Sequence, residues 1–385
     1  MTRPVLIAGA GIAGTALAYF LQNTGCPAVL LERRAGPAGT SAGIVVHPNA
    51  LSALGALGRA VREHGNPITT QVTRFPDNSQ TVVDWGRVWG NGSYPLGIDR
   101  AVLADILRDA ARNVPTHWGV EVVDAYPDRD GGVVCVLADG EKLRGSVLVG
   151  ADGIHSRVRA TVDDEARPRY TGQFFRRTIV DAAAEIPSDA PPGTRAGTPA
   201  DTQWQVWRCP GGSVGRTPIG GGKAHVFAEI DTTDLGPVVK GSELGLMRQA
   251  IRQAGAELPL PEVCRVDSRP AYTLISRRLT RGRIALVGDA AHAVHPSTSQ
   301  GAALGLEDAA VLAEEIHRSG PSEKALRAYE LRRAPRLESF LRAARIHQSL
   351  LAGMGVATGP HDRGTAIRQA DGWYRRLYRD LLDPA

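Results

Sequence analysis

The chain is poor in several residues and patterns, and each scarcity removes a class of protein. Cysteine occurs four times in 385 residues, at 26, 135, 209 and 264, with no CxxC pair and no metal-ligand spacing. A disulfide scaffold and a metal site are therefore not expected. Lysine stands only at 142, 223, 240 and 324, so nearly all positive charge is arginine. With the abundant alanine and glycine, that bias reads as bacterial genome composition rather than function. The net charge of +5 is spread over short pairs such as Arg176-Arg177, Arg277-Arg278 and Arg332-Arg333. No basic block alternates with exposed aromatics, so no nucleic-acid partner is expected. No apolar run approaches the roughly 18 residues of a membrane span. The apolar stretch from Pro4 to Leu21 is broken by Gly9, Gly11 and Gly14 and opens like a strand, unlike a signal peptide. Internal repeats and low-complexity tails are absent as well. A cytoplasmic protein, monomer or homodimer, is the expectation.

What is present is ordinary in bulk, with 43% apolar and 22% charged residues, and long enough for two or three structural units. Residues 4–8 read as a buried strand, 13–24 as a helix and 27–31 as the next strand, which makes a βαβ unit. Pro48-Asn49-Ala50-Leu51 opens a short helix, 71–96 reads as strands and turns, and Asp99–Ala111 as a helix. Strand signals follow at 117–124, 132–138 and 143–149. From 168 to 270 the texture becomes short β runs (174–182, 203–208, 213–218, 224–230) between turns such as Gly220-Gly221-Gly222, then a helical piece at 242–255. A strand at 283–287 leads into a long helix near 300–318, and the remainder is helical. The class is α/β: a Rossmann-like domain with an inserted, mostly antiparallel β-sheet and a helical C-terminus. The implied division assigns 1–70, 97–167 and 271–320 to a nucleotide-binding domain, 71–96 and 168–270 to a substrate domain, and 321–385 to C-terminal helices.

Three motifs carry the chemistry. The first is Gly9-Ala10-Gly11-Ile12-Ala13-Gly14 between strand and helix. Gly9 permits the tight turn, Gly11 lets backbone approach a pyrophosphate, and Gly14 lets helix and strand pack. The helix N-terminus then offers free amides to the phosphates. Glu32 ends the next strand, where a carboxylate accepts hydrogen bonds from ribose hydroxyls and repels a 2′-phosphate. That leaves NAD or FAD. The second motif is Gly150-Ala151-Asp152-Gly153. The third is Gly288-Asp289-Ala290-Ala291-His292, followed by Ser299-Gln300-Gly301-Ala302 at a second helix start. Asp289 could hold a chain of hydroxyls, and the amides at Gly301 and Ala302 could stabilise negative charge on a reduced isoalloxazine. A simple NAD dehydrogenase has no need of this third motif, so the dinucleotide is FAD.

With these stretches in view, the chain resembles the single-component FAD-dependent aromatic hydroxylases of the p-hydroxybenzoate hydroxylase fold, over roughly residues 4–320. The resemblance rests on GAGIAG with Glu32-Arg33, on GIVVHPNALSALGALG (43–58), on Arg100 in Asp99-Arg100-Ala101-Val102-Leu103, on VGADGIHSRVR (149–159) and on GRIALVGDAAHAVHPSTSQGAALGLEDAAVLAEEI (282–316). It implies that Arg33 and Arg100 reach the FAD nucleotide, that Asp289 meets the ribityl chain, and that Asp152 belongs to a motif linked to FAD and the nicotinamide cofactor. Pro296 falls in the same cofactor loop. The chain departs from the family at Ser299, where glycine is usual, at Ala303, where an amide side chain is lost, and at Arg176-Arg177-Thr178, where Trp-Arg-Gly is usual.

The resemblance further implies NAD(P)H as a transient co-substrate, O2, and hydroxylation of a small or medium aromatic through a flavin C4a-hydroperoxide. Most of that chemistry belongs to the cofactor, so no catalytic triad is expected. Pocket candidates on the inserted sheet are Arg177, Trp204, Trp207, Arg216, His225 and Phe227, of which strand alternation sends about half to one face. Arg216 and His225 are the polar candidates for a substrate carboxylate or phenol. His292 is expected to serve local structure, and His47 to lie near the flavin. Other readings are a flavin halogenase or reductase, a non-redox FAD-binding protein sheltering an intermediate, and an NAD-dependent dehydrogenase. The spacing of Trp204-Gln205-Val206-Trp207-Arg208-Cys209-Pro210 does not match the halogenase Trp-x-Trp-x-Ile-Pro. The closing residues Trp373, Tyr374, Leu377, Tyr378 and Leu381 have near-helical spacing and read as a packed helix.

Overall fold

The computed structural model describes residues 3–37, 39, 42–90, 92–182, 199–231, 243–355, 370–378 and 381, with backbone alone for 199–200, 346–355 and 370–373. Its first strand, Val5–Ala8, is buried throughout. It lies inside a six-stranded sheet ordered Thr280–Arg281, Ile284–Leu286, Leu148–Gly150, Val5–Ala8, Ala28–Glu32, Thr116–Trp118. All neighbours run parallel except the antiparallel edge strand Thr280–Arg281. Helices on both faces account for the nearly unbroken apolar strands. Val5–Ala8, Leu148–Gly150 and Ile284–Leu286 end side by side, and a glycine motif follows each. Three motifs far apart in sequence thereby meet at the carboxyl edge of one sheet, where open α/β sheets bind ligands.

Small residues let the layers close at that edge. Gly9 has φ +106°, and a Cβ on it would lie 2.4 Å from the Ala151 carbonyl oxygen. A Cβ on Gly14 would lie 2.0 Å from the Gly9 oxygen. Where helix Ile12–Asn23 crosses helix Gly301–Ser319, a Cβ on Gly305 would fall 3.2 Å from Gly288 Cα and 3.3 Å from Ala13 Cβ.

The second sheet has seven strands in the order Asp267–Thr273, Arg169–Asp181, Lys223–Asp231, Gly212–Gly220, Gln203–Cys209, Thr70–Arg74, Gln80–Asp84. Every pairing is antiparallel except that of Gln203–Cys209 with Thr70–Arg74. Its register sorts side chains by face. Val180, Val214, Ala224, Val226, Ala228 and Ile230 pack with Met247, Ala250 and Ile251 of helix Glu243–Gln253 in a separate small core. Residues between them, such as His225, Phe227 and Glu229, face the nucleotide-binding domain.

Two local expectations are corrected. Residues 117–124 are not one strand: at Gly119 (φ +77°) the chain leaves Thr116–Trp118 in the parallel sheet and begins Val122–Pro127 in a three-stranded meander. Within 71–96, Trp85–Trp89 forms a short helix because the Asp84 side chain caps it, accepting from the Arg87 amide at 3.1 Å. Near the C-terminus, helix Ala370–Leu377 is present, and Leu377, Tyr378 and Leu381 join the main core. The side chain of Trp373 lies outside the described residues.

Candidate active site

A crevice of about 160 Å³ opens over the first glycine motif, lined by Ala10, Gly11, Ile12 and Thr15 on one side and Arg100, Arg177 and Arg269 on the other. A Cβ placed on Gly11 would meet nothing within 4 Å, so its backbone faces open space there. Arg34 and Arg108 also line the crevice, which brings five guanidinium groups around it. The nearby carboxylate, Asp267, is bound by Arg177 at 2.8 Å and Arg269 at 3.0 Å. Burial lowers the pKa of Arg100, and the field of Asp289 works the other way. A positive crevice beside free helix-terminal amides suits a diphosphate.

Asp289 begins the short helix Asp289–His292 after Gly288, whose φ is +60°. Its side chain is accessible, yet protein surrounds it closely enough for burial to raise its pKa, with Arg100 and His292 working the other way. That combination marks an internal slot rather than outer surface. Asp289 Oδ1 lies 3.7 Å from where a Gly301 Cβ would stand, so the slot runs to the start of helix Gly301–Ser319. Beyond it is a cavity of about 180 Å³ lined by Gly301, Ala302, Pro296, Phe175, Trp204 and Phe227, with Arg177, His225 and Glu229 among its polar members. Crevice, slot and cavity fit, in that order, a diphosphate, a polyol chain and a flat ring, which are the parts of FAD.

Buried charges hold the third motif in place. Arg333, fully buried on helix Glu323–Gly355, donates to Asp308 at 2.8 Å and Glu307 at 2.7 Å. The other Asp308 oxygen accepts from the Gly288 amide at 2.8 Å and lies 2.5 Å from His292 Nε2. Burial opposes ionisation of Asp308, but His292 and Arg333 outweigh it and bring its pKa to about 2. Glu307 accepts from Asn49 at 3.0 Å, and Asn49 also donates to Gln300 at 3.2 Å. His292 thus serves the local scaffold.

The residues expected to form the site divide into three groups. Gly11, Ile12 and Arg100 line the crevice, and Pro296, Gly301, Ala302 and His225 line the cavity. Gly9, Ala13, Gly14 and Gly288 shape the loops by close packing. Glu32 accepts from the amide of Ala10 at 2.8 Å and from the Arg34 side chain at 2.8 Å. Burial works against its ionisation, but these bonds prevail and its pKa is lowered. Asp152 braces its own turn, accepting from the Arg157 amide at 2.8 Å while Oδ1 is buried without a partner.

Two of the expected residues lie outside the crevice and the cavity. Arg33 does not line the crevice; Arg34, exposed like its neighbour, does, and its side chain donates to Glu32 at 2.8 Å. Arg216 pairs with Val226 and shares its face with Val214, opposite the cavity. Trp207 likewise packs on the far core, whereas Arg177, Trp204, His225 and Phe227 line the cavity. His47 is fully buried among Trp85, Trp89 and Tyr378, with both ring nitrogens unpartnered, and burial lowers its pKa to about 3. Sequence reasoning missed Arg34, Arg269 and Glu229. Strand parity with Phe227 was the available signal for Glu229.

Ser299 adopts φ +52°, the left-handed conformation that explains why glycine is usual there. His225 stands against Gly43, whose amide donates to its Nδ1 at 3.1 Å; a Cβ on Gly43 would lie 2.4 Å from His225 Cβ. Burial lowers the His225 ring to about 3, so it stays neutral.

The chain matches the family described as FAD binding domain over residues 2–344. It is 30% identical over 392 residues to 2-heptyl-3-hydroxy-4(1H)-quinolone synthase of Pseudomonas aeruginosa, covering 98% of this chain and 97% of that protein. It is 31% identical over 367 residues to 3-amino-4-hydroxybenzoate 2-monooxygenase of Streptomyces platensis, covering 89% and 87%. Among solved structures it is similar to Klebsiella pneumoniae HpxO complexed with FAD and uric acid, with a TM-score of 0.76, 24% identity and 97% coverage of each chain. Taken with the geometry above, these matches establish that the chain belongs to the FAD-binding-domain family of p-hydroxybenzoate hydroxylase-like flavoprotein monooxygenases, enzymes that use NAD(P)H and O2 on aromatic substrates.

Proposed function

We propose that this enzyme hydroxylates a one- or two-ring aromatic held against the face formed by Trp204, Phe227 and Phe175, next to the start of helix Gly301–Ser319. The observation that carries the reading is that the positive crevice and the aromatic-walled cavity share Arg177, with Asp289 placed between Arg100 of the one and Gly301 of the other. Arg34, Arg100, Arg177 and Arg269 would balance the FAD diphosphate over the Gly11 backbone. Asp289 would accept from ribityl hydroxyls, and Glu32 would reach the adenosine ribose through its remaining lone pairs. Bound FAD would supply the redox chemistry, hydride uptake from NAD(P)H and transfer of one oxygen atom of O2 to the ring. The protein's part is positioning and shielding. The Gly301 and Ala302 amides, with the helix dipole behind them, favour negative charge on the cofactor. The aromatic wall orders the substrate ring and excludes water.

Relatives named for quinolones and for aminohydroxybenzoates bracket the substrate class as a hydroxyl- or carbonyl-bearing aromatic. No helix among the described residues is long and apolar enough to cross a membrane. A cytoplasmic monomer or homodimer remains our reading. The test is anaerobic reduction of the purified protein by NADH and by NADPH across phenolic and heteroaromatic ligands. At least one ligand should accelerate bleaching of the flavin band more than tenfold. A flavin reduced at the same rate with and without every ligand would overturn the proposal.

A further inference from the structure

Glu229 is a buried carboxyl that the scaffold does not consume. It lies in strand Lys223–Asp231 on the face that carries His225 and Phe227, and it lines the cavity at the flavin-facing helix. Among the described residues only long contacts reach it: His295 Nε2 at 3.3 Å and Ser213 Oγ at 3.5 Å. By contrast, Asp308, Glu307 and Glu32 each accept at least one bond of 2.8 Å or shorter. Arg177, the cation lining the same cavity, is bound to Asp267 at 2.8 Å. His225 is neutral, with Nδ1 occupied by the Gly43 amide. The rest of the lining is apolar surface from Phe175, Phe227 and Trp204 with the neutral hydroxyls of Thr217, Ser297 and Ser299. Thus Glu229 is the one carboxyl in the described lining, and the one arginine there, Arg177, is tied to Asp267 with only its Nε left over.

The geometry points to Glu229 as the group that receives the substrate's O–H or N–H proton, and hence to an uncharged aromatic carrying such a donor, not a carboxylate, as the substrate. This rests on the hydroxylase reading above. In the step, one proton moves from the substrate heteroatom to a Glu229 oxygen. The bonding pair stays on the substrate and raises electron density at the ring position to be hydroxylated, and no oxidation state changes. A substrate carboxylate would instead face the Glu229 charge across a water-poor cavity. His295 sets the position of Glu229. Its Nε2 also lies 2.9 Å from Gln173 Oε1, and its Nδ1 2.8 Å from Ser297 Oγ. The other side of His295 lines an outer cavity of about 660 Å³ walled by Arg167, Arg169, Arg277 and Arg345. Glu229 and His295 therefore form the partition between the inner and outer cavities, and the proton has a short way out after turnover.

The charged groups facing Glu229 are Arg208, in the same cross-strand row through Ser213, and His295; the neighbour across the remaining strand pairing is Phe175. Burial pushes the Glu229 carboxyl up to about 7, with Arg208 and Ser213 working the other way. The carboxylate that accepts the proton therefore forms as pH rises through about 7.

The experiment compares the wild-type holoenzyme with E229Q and H295Q. Binding of 4-hydroxyquinoline and of 3-hydroxybenzoate is followed by perturbation of the flavin absorbance. Wild type should prefer the neutral probe at least tenfold, and E229Q should lose that preference. A protonated-carboxyl C=O band in the infrared should titrate near pH 7 and be missing from E229Q. In turnover, the acid limb near pH 7 should vanish in E229Q and move to higher pH in H295Q, which lacks the imidazole N–H beside the carboxylate. No preference between the probes in wild type, or a preference, pH limb and infrared band unchanged in E229Q, would overturn the assignment. A purified chain that takes up no FAD would instead sink the hydroxylase reading on which it rests.

Discussion

Replacing Arg333 with methionine tests how the fold holds the third glycine motif. Arg333 is fully buried and donates to Asp308 at 2.8 Å, to Glu307 at 2.7 Å and to the Leu304 carbonyl at 3.3 Å. Methionine fills much of the same volume but leaves two carboxylates in the interior. Arg336, 2.7 Å from Glu307 Oε1, still serves that group. Asp308 retains only the Gly288 amide and His292. Breaking a buried pair by removing one partner costs about 3–5 kcal/mol. At about 2.1 cal/mol/K per residue, a chain of 385 residues has an unfolding entropy of about 0.8 kcal/mol/K. The Tm of Arg333→Met should therefore fall by about 4–6 °C. Because Asp308 anchors Gly288, next to Asp289, FAD retention should fall as well. Adding Asp308→Asn and Glu307→Gln removes the stranded charges and should recover part of the loss. Thermal denaturation by circular dichroism reads both. An Arg333→Met protein within about 1 °C of wild type would refute the reasoning, since only a charge already solvated or neutral in the folded state could be lost so cheaply.

Four further outcomes follow from the same geometry. Gly11→Ala should fold with near-native stability, because its Cβ meets nothing within 4 Å, yet lose FAD because that space is where a diphosphate must approach. Gly14→Ala should lose stability as well, its Cβ falling 2.0 Å from the Gly9 oxygen, and melting curves with flavin-release assays separate the two. Asp308 has a folded pKa of about 2, below its ordinary 3.8, so it contributes about 2 kcal/mol above roughly pH 4, lost as pH falls toward 2. Asp308→Asn should abolish that part of the acid-unfolding slope in urea titrations at stepped pH. His47 is held neutral, its pKa lowered from 6.5 to about 3, so below pH 6.5 the unfolded chain binds the proton more readily and stability falls as pH drops. Since neither ring nitrogen has a partner, His47→Phe should leave stability at pH 7 within about 1 kcal/mol of wild type and make unfolding at pH 5 less favourable, as urea denaturation at the two pH values would show.

Much of the nucleotide-binding half was legible because its signals are local. Strand, glycine turn and helix follow one another within residues 5–23, and the steric need for Gly9 and Gly14 is fixed by neighbours on the same edge. The inserted sheet was legible only as texture. Whether Arg216 or Glu229 faces the cavity depends on strand register, which tertiary pairing sets, and a one-residue shift inverts every assignment. Arg33 and Arg34 pose the same problem over a single residue: both are charged, adjacent and exposed, and the Glu32 hydrogen bonds hold Arg34 at the crevice. The Arg333 network joins residues from three distant segments, with nothing periodic to betray it. The strand expected over 117–124 failed because Gly119, in a left-handed conformation, breaks a run whose composition alone reads as continuous.

The central claim, that one FAD lies along the crevice, slot and cavity and oxidises NAD(P)H in response to an aromatic ligand, is tested most directly by stopped-flow anaerobic reduction of protein loaded with FAD. The account predicts one tightly held FAD per chain, and a flavin band that bleaches at least tenfold faster with NADH or NADPH when a neutral hydroxylated aromatic is present. A chain that cannot be loaded with FAD, or whose flavin is reduced equally fast with and without every aromatic ligand, would contradict it.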